Sequence, residues 1–282
     1  MKFIFVADVF VEDGIVGGGE LNNHVFCDII TSKGHEVVKV HSHKLTEGFI
    51  HDNKKHDFII GNFLNIKPSV FKLIHKLARY VIYEHDHKYL RNRNPALYEN
   101  FKAPLEEITH RYFYSSALAV LCQSSMHKSI VERNLGLDNI HSLSGNLWSE
   151  EVLDFIEDLS KSEKKKCCSI MESTIGHKNT GGSVKFCMLK EIPYELIPSS
   201  EYREFLKRLS ANDSLAFFPQ TPETLSRIVV EARMMGCKIH TNNLIGAAGE
   251  DWFKLKGKEL VDEMRKNRNK IPDFILSLFP ED

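Results

Sequence analysis

The 282-residue sequence has almost no net charge. Its 37 Lys and Arg against 38 Asp and Glu leave −1, so no global field draws the chain onto nucleic acid. It has no apolar run of about 18 residues, so no membrane-spanning helix is expected. Met1 leads straight into strand-like Lys2–Val9, and a signal peptide is not expected either. Six cysteines, Cys27, Cys122, Cys167, Cys168, Cys187 and Cys237, form no C-x-x-C pair and sit mostly in apolar runs. That pattern fits reduced, buried thiols in a cytoplasmic protein rather than a disulfide framework. The sequence also lacks G-x-S-x-G, a Walker loop, H-E-x-x-H and G-x-G-x-x-G. These absences remove the commonest routes to ester hydrolysis, P-loop phosphoryl transfer, zinc proteolysis and dinucleotide binding.

What is present is an alternation of short apolar runs with amphipathic stretches. Strand-like Lys2–Val9, Gly34–Val40, Asp57–Gly61, Tyr80–Tyr83 and Ala117–Cys122 are separated by a glycine-rich turn over 14–19 and helix-like segments such as Glu20–Ser32 and Pro68–Ala78. The pattern fades in a charged stretch and restarts with Cys167–Met171, Tyr194–Ile197, Leu215–Phe218 and Lys238–Thr241. Strands and helices alternating at this length imply parallel sheets covered on both faces. The economical division is a Rossmann-like domain over 1–148, a linker over 149–166 and a smaller α/β domain over 167–282, whose last helix is free to pack back on the first.

The most informative segment is Pro222-Glu223-Thr224-Leu225-Ser226-Arg227-Ile228-Val229-Val230-Glu231-Ala232, which follows strand-like Ser214–Pro219. Read as one helix capped by Pro222, it sets two carboxylates about 12 Å apart along the axis. The backbone N–H groups of Thr224, Leu225 and Ser226 then fall in the first turn, a natural seat for phosphate. Two acids bracketing a phosphate seat suit a nucleotide-sugar; two acids on a solvated helix face are the plain alternative. The E-x7-E spacing, the alanine after it and Gly236 beyond resemble the donor-binding motif of retaining GT-B glycosyltransferases of the GT4 type.

Other segments carry the same resemblance in the same order. Gly17-Gly18-Gly19-Glu20 is similar to the family's Gly-Gly-x-Glu loop, which places Gly18 and Gly19 beside the donor phosphates; a tight βα turn is the alternative. Lys33-Gly34-His35-Glu36-Val37 matches its Gly-His-x-Val. Tyr83-Glu84-His85-Asp86 resembles its His-Asp, implying that His85 reaches the transferred sugar while Asp86 orients it or the acceptor. The segment Ser173–Gly182 matches the loop whose Arg and Lys neutralise the diphosphate. Lys178 stands at the Lys and Ser173 at the Arg, leaving His177 or Arg227 to supply the second positive charge. Asn242–Glu250 looks like the turn that closes the motif, and Ser124, Ser125 and Asn146 fall where the family lines its site.

The resemblance implies a GT-B fold of two Rossmann-like domains facing across a cleft, in a compact, virus-like member. It further implies retaining transfer from a UDP- or GDP-type sugar to an acceptor hydroxyl, without metal or other cofactor. His85, Glu223 and Lys178 would carry the chemistry, Glu223 gripping the sugar and Glu231 the ribose. The acceptor, whether glycan, lipid or modified nucleic-acid base, has no motif of its own; loops at Glu12–Ile15, Phe49–Lys54 and Lys88–Pro104 are where it would bind. Two other classes stay open: a GT-B-like module that binds nucleotide-sugar or glycan without turnover, and a Rossmann-type oxidoreductase.

Overall fold

The structure is a computed structural model that describes residues 1–14 and 17–279. Ile15 and Val16, part of the glycine-rich turn and of one expected acceptor loop, lie outside the described residues. The chain divides into two compact units, Met1–Leu147 with Asn267–Asp282, and Trp148–Lys266.

The first unit is a six-stranded sheet. Its strands are β1 (Lys2–Ala7), β2 (Glu36–His41), β3 (Asp57–Ile60), β4 (Arg79–Tyr83), β5 (Ala119–Cys122) and β6 (Ile140–Ser142). They lie in the order β2-β1-β3-β4-β5-β6, and every pairing is parallel. Helices α1 (Gly18–Ser32), α2 (Glu47–Asn53), α3 (Pro68–Leu77), α4 (Arg111–Ser115) and α5 (Ser125–Leu135) fill the connections. Strand side chains point alternately to the two faces. Phe3 and Phe5 of β1 therefore enter one core with Val81 and Leu121, while Ile4 and Val6 enter the other with Ile82 and Val120. Burial on both faces explains why these strands read as unbroken apolar runs rather than as alternating ones.

The second unit begins with α6 (Glu150–Ser160), inside the segment read as a linker. Leu153 and Ile156 of this helix are fully buried in the unit's core. It continues through β7 (Lys165–Met171), α7 (Thr180–Leu189), β8 (Tyr194–Ile197), α8 (Tyr202–Ser210), β9 (Asn212–Phe217), α9 (Arg227–Met234) and β10 (Lys238–Thr241). The four strands, all parallel, lie in the order β10-β9-β7-β8. Last comes α10 (Lys258–Ser277), which begins in the second unit and ends in the first. All six cysteines are free thiols, and five of them are buried. No helix among the described residues is long and apolar enough to cross a membrane.

One expectation is corrected here. Glu223 and Glu231 do not share a helix: α9 starts only at Arg227, and Glu223 forms a parallel β-bridge with Ile245. The bridge is closed by Glu223 N–H to the Leu244 carbonyl at 2.8 Å and Gly246 N–H to the Glu223 carbonyl at 2.9 Å. Ser226, in the left-handed region at φ 77°, turns the chain from this extended stretch into the helix. Local backbone pairing with the loop after β10 has overridden the helical reading, and Pro222 caps nothing. Thr224 and Leu225 accordingly precede the helix rather than lying in its first turn.

Candidate functional site

In an open parallel sheet the ligand crevice lies beyond the carboxyl ends of the strands, where the strand order reverses. In the second unit that point falls between β7 and β9, since β8 was laid down on one side of β7 and β10 on the far side of β9. The loop after β7 carries Lys178, and the loop after β9 carries Glu223. The two side chains meet, Lys178 Nζ to Glu223 Oε1 at 2.7 Å, and both keep some exposure. Lys178 also stands 5.9 Å from the centre of the Phe217 ring at the end of β9. The loops are held together by Gln220 N–H to the His177 carbonyl and by Asn179 Nδ2 to the Phe218 carbonyl, each at 2.8 Å. Asn242, in the loop that brackets Glu223, donates to the Pro219 carbonyl at 2.8 Å.

Glu231 lies elsewhere. Its carboxylate is buried and one oxygen, Oε1, accepts from Trp148 Nε1 at 2.9 Å, Tyr202 Oη at 2.5 Å and Arg227 Nε at 3.1 Å. Arg227 sits one helical turn before Glu231, donates to Tyr202 Oη at 3.2 Å and lies over the Trp148 ring at 4.4 Å. The arginine considered as a second diphosphate partner is thus committed to an internal cluster. His177, the other candidate, has its pKa lowered by burial and then by the Lys178 charge, so it brings less positive charge than a surface histidine would. Ser226 is buried, with an Oγ that has no hydrogen-bond partner.

The first unit collects a separate constellation on the loops after β4 and β5. Burial, and next the charge of Lys88, drives the pKa of His85 down to about 3, so its ring is neutral. One ring nitrogen, Nε2, lies 2.6 Å from Asn23 Oδ1, and the other, Nδ1, lies 2.6 Å from Gln123 Nε2. A neutral imidazole that donates from Nε2 and accepts at Nδ1 satisfies both contacts. The ring stacks on Tyr83 at 4.8 Å, and a Cβ added to Gly19 would stand 3.6 Å from it. A side chain at Gly19 would thus meet the His85 ring at ordinary contact distance, and Gly18 opens α1 beside it.

The carboxylate of Asp86, the residue expected to orient His85 or the acceptor, is engaged by two cations. One of its oxygens pairs with Lys88 at 2.9 Å and the other with Arg93 at 3.2 Å. Lys88 is fully buried and also meets Glu84 Oε1 at 2.5 Å, while the second oxygen of Glu84 accepts from Tyr114. Burial pushes Glu84 up to about 7. Burial would raise Asp86 as well, but Lys88 outweighs it and holds this carboxyl below its usual range. Two carboxylates around one ammonium cannot both be fully satisfied, and the more deeply buried one yields. Among the described residues, no group of three His, Cys, Asp or Glu side chains is placed to hold a metal ion. Ser124 caps α5 by accepting the His127 N–H at 3.1 Å.

Sequence reasoning missed Asn23, Gln123, Trp148 and Tyr202. The pair Asn22-Asn23 inside the apolar stripe of α1 was the available signal: two buried amides amid Leu21, Val25 and Phe26 need a polar reason to be there.

No protein-family model matches this sequence, and no curated protein matches it either. Solved structures do. The catalytic domain of starch synthase IV from Arabidopsis thaliana, bound to ADP and acarbose, aligns with a TM-score of 0.60 at 8% identity, covering 100% of this chain and 95% of that one. The Anabaena protein HepE, in complex with UDP and glucose, aligns with a TM-score of 0.55 at 11% identity over 99% of this chain and 92% of that one. A glycosyltransferase involved in avilamycin A biosynthesis aligns at 0.50 and 11% identity, covering 98% and 92%. The chain is a mixed α/β protein with two parallel sheets whose structural neighbours are GT-B glycosyltransferases, and at these identities the likeness is one of fold.

Proposed function

We propose that the protein is a glycosyltransferase that moves a sugar from a nucleoside diphosphate donor to an acceptor hydroxyl. The supporting observation is the Lys178–Glu223 pair, 2.7 Å apart on the two loops that flank the strand-order reversal of the second sheet. A cation and a carboxylate side by side suit a ligand with a diphosphate next to a hydroxylated ring. The diphosphate draws Lys178 to itself, which stabilises the leaving group as charge develops on it. Glu223, released, accepts from the sugar hydroxyls. The backbone of Thr224, Leu225 and Ser226 completes the donor side in this reading. We further propose GT4-type, retaining and metal-independent transfer in the cytoplasm from a UDP- or GDP-type donor to a glycan, lipid or modified nucleic-acid base. The UDP- and ADP-bound neighbours favour looking first at nucleoside diphosphates.

A thermal-shift series with UDP, GDP, ADP and their glucose conjugates tests it, because a ligand at a hundredfold excess over its Kd stabilises by roughly 2.7 kcal/mol. Nucleotide release from the responding donor then reports turnover. A chain stabilised by no nucleotide sinks the proposal.

A second reading is favoured by Glu231, whose Oε1 is enclosed by Trp148, Tyr202 and Arg227 and so is not presented to a ribose. On that reading the protein binds nucleotide-sugar or glycan without turning it over. Binding without nucleotide release over hours would select it.

A further inference from the structure

The two faces of the second sheet are covered unequally. On one face, side chains of α6, α8 and α9 pack with Leu215 and Phe217 of β9 into a large core. On the other, α7 is the one helix that contributes, and the buried cluster is Cys168, Ile170, Cys187 and Ala216. In β8, Tyr194 registers with Cys168 and Leu196 with Ile170, so both side chains rise on the α7 face. Phe186 of α7 leans toward β9 and β10, its ring centre 4.8 Å from that of Phe218 and 5.1 Å from that of His240. Cys187 enters the buried cluster over β7. Each helical residue adds about 100°, so Met188 turns to the opposite side, toward β8, and Val184 one turn earlier shares that side.

This strip is open. Met188, Leu189, Tyr194 and Leu196 are 65, 72, 39 and 37% exposed. Together they show on the order of 400 Å² of apolar side chain, the size of the largest patch on an ordinary monomer. From Val184 to Leu189 the helix has one polar residue, Lys185, and a helix apolar nearly all round is ordinarily buried all round.

The strand beside it is also the edge of the sheet. The carbonyls of Pro193 and Ile197 accept from the N–H groups of Cys168 and Glu172 on the β7 side, at 2.7 and 2.9 Å. Alternate residues of a strand address alternate neighbours, so Tyr194 and Leu196 turn their N–H and C=O outward. These two residues are complementary to themselves. About a two-fold axis at Glu195, Tyr194 of one copy and Leu196 of the other exchange two N–H···O=C bonds, and the axis repeats them. Opposed residues share a face, so the same register brings the exposed Tyr194 and Leu196 side chains of both copies together. Glu195 then meets its own copy, an unfavourable contact of like charges, with each carboxylate held by its own Arg208 at 3.7 Å and Asn212 at 3.2 Å. Pro193 and Pro198 bracket the strand and offer no N–H, so pairing stops after four residues. A long extended peptide gains little from so short an edge, whereas a two-fold mate uses all of it.

We propose that the β8 edge and the α7 strip beside it dock a second copy of this chain, as a two-fold pair that joins the two four-stranded sheets into one. Two copies bring about 800 Å² of apolar area before the polar rim is counted, short of the roughly 1,200 Å² of a stable interface, so the pair is weak, with a Kd of about 10 µM. Nothing in this pairing rests on the glycosyltransferase reading.

Sedimentation of the full chain across concentrations spanning that Kd should shift from a 32.4 kDa monomer to twice that mass. Met188→Lys and Leu196→Lys should each weaken the pair at least tenfold, whereas Leu105→Lys, at an exposed leucine of the first unit, should leave it unchanged. Should Leu196→Lys not fold, Met188→Lys carries the comparison, because that side chain is the more exposed. Glu195→Cys reads the register: opposed residues of an unbonded pair stand about 4.5 Å apart at Cα, within disulfide reach. Mild oxidation should then give a covalent dimer that the wild-type chain does not form. A chain that stays monomeric well above that concentration overturns the proposal. So does a pair that both lysine variants form as tightly as the wild type, or a Glu195→Cys chain that pairs without cross-linking.

Discussion

Both units start from the same arrangement, and they use it differently. Numbered within its own unit, each sheet runs 2-1-3-4, with the order reversing between the first and third strands; the first unit adds two more strands beyond the fourth. In the second unit, whose sheet stops there, the charged residues stand on the loops after strands one and three, and their ion pair is partly open to solvent. In the first unit the polar residues have moved out to the loops after strands four and five, and the Glu84–Lys88 pair there is fully buried. An ion pair closed off from water holds a loop in place, whereas one open to solvent can exchange a partner for a ligand. The Glu84–Lys88 pair belongs to the first kind and Lys178–Glu223 to the second. The Glu231 cluster is an exception inside the second unit, a buried network in the same unit as an open pair.

The sharpest way to break this contrast is Lys88→Met. It leaves Glu84 and Asp86 facing each other without their shared cation, and removing one partner of a buried pair costs about 3–5 kcal/mol. Urea unfolding followed by hydrogen exchange should show the loss in the first unit, with the second unit's midpoint unmoved. A loss below about 1 kcal/mol would mean that this group is solvated like any surface pair.

Glu231→Gln comes next. The amide keeps an acceptor oxygen but removes the charge that Arg227, Trp148 and Tyr202 all address, and charge-assisted hydrogen bonds contribute roughly 1.5–3 kcal/mol. The effect should fall on the stability of the second unit. If stability is unchanged and UDP or GDP affinity drops instead, Glu231 serves the ribose as the resemblance implies, and the closed cluster opens for ligand.

Acid should separate the units as well. Burial lowers the pKa of His85 to about 3 and of His87 to about 4, and also that of His127. Each binds a proton more readily when unfolded, so each withdraws stability as pH falls from its ordinary value near 6.5 toward its folded value. Glu84, raised to about 7, acts in the opposite sense and favours the folded state as pH falls through that window. With His110, also lowered by burial, four groups against one leave a net loss on acidification. Regional hydrogen exchange between pH 7 and pH 4.5 should show the first unit opening ahead of the second; simultaneous opening would contradict it.

How much of this was legible in the sequence depends on how local the cause was. Strands Tyr194–Ile197 and Lys238–Thr241 read correctly to the residue, because an apolar run bounded by breakers is a local fact. Glu223 did not, because what holds it extended is Ile245, and no window of sequence contains both residues. The Asp86–Lys88 pairing was not legible either, because it depends on the burial of Lys88, which residue type does not reveal.

The smallest expected change in stability belongs to the residue with the largest expected change in function. Lys178→Ala removes a partly exposed pair, and such pairs contribute about 0–1 kcal/mol, so the urea midpoint should scarcely move. Turnover should fall by far more, because a leaving diphosphate loses the cation that stabilises its developing charge, and one such electrostatic contact is worth on the order of a hundredfold or more in kcat. Nucleoside monophosphate binding should be nearly unaffected, since the group that Lys178 addresses is absent from that ligand. Glu223→Gln supplies the complement: it frees Lys178 from its partner, so binding of the bare nucleoside diphosphate should hold or tighten while transfer from the sugar-bearing donor falls. If both variants lose the monophosphate and the diphosphate equally, the pair fixes the loops rather than exchanging partners, and the distinction between the two units' ion pairs fails with it.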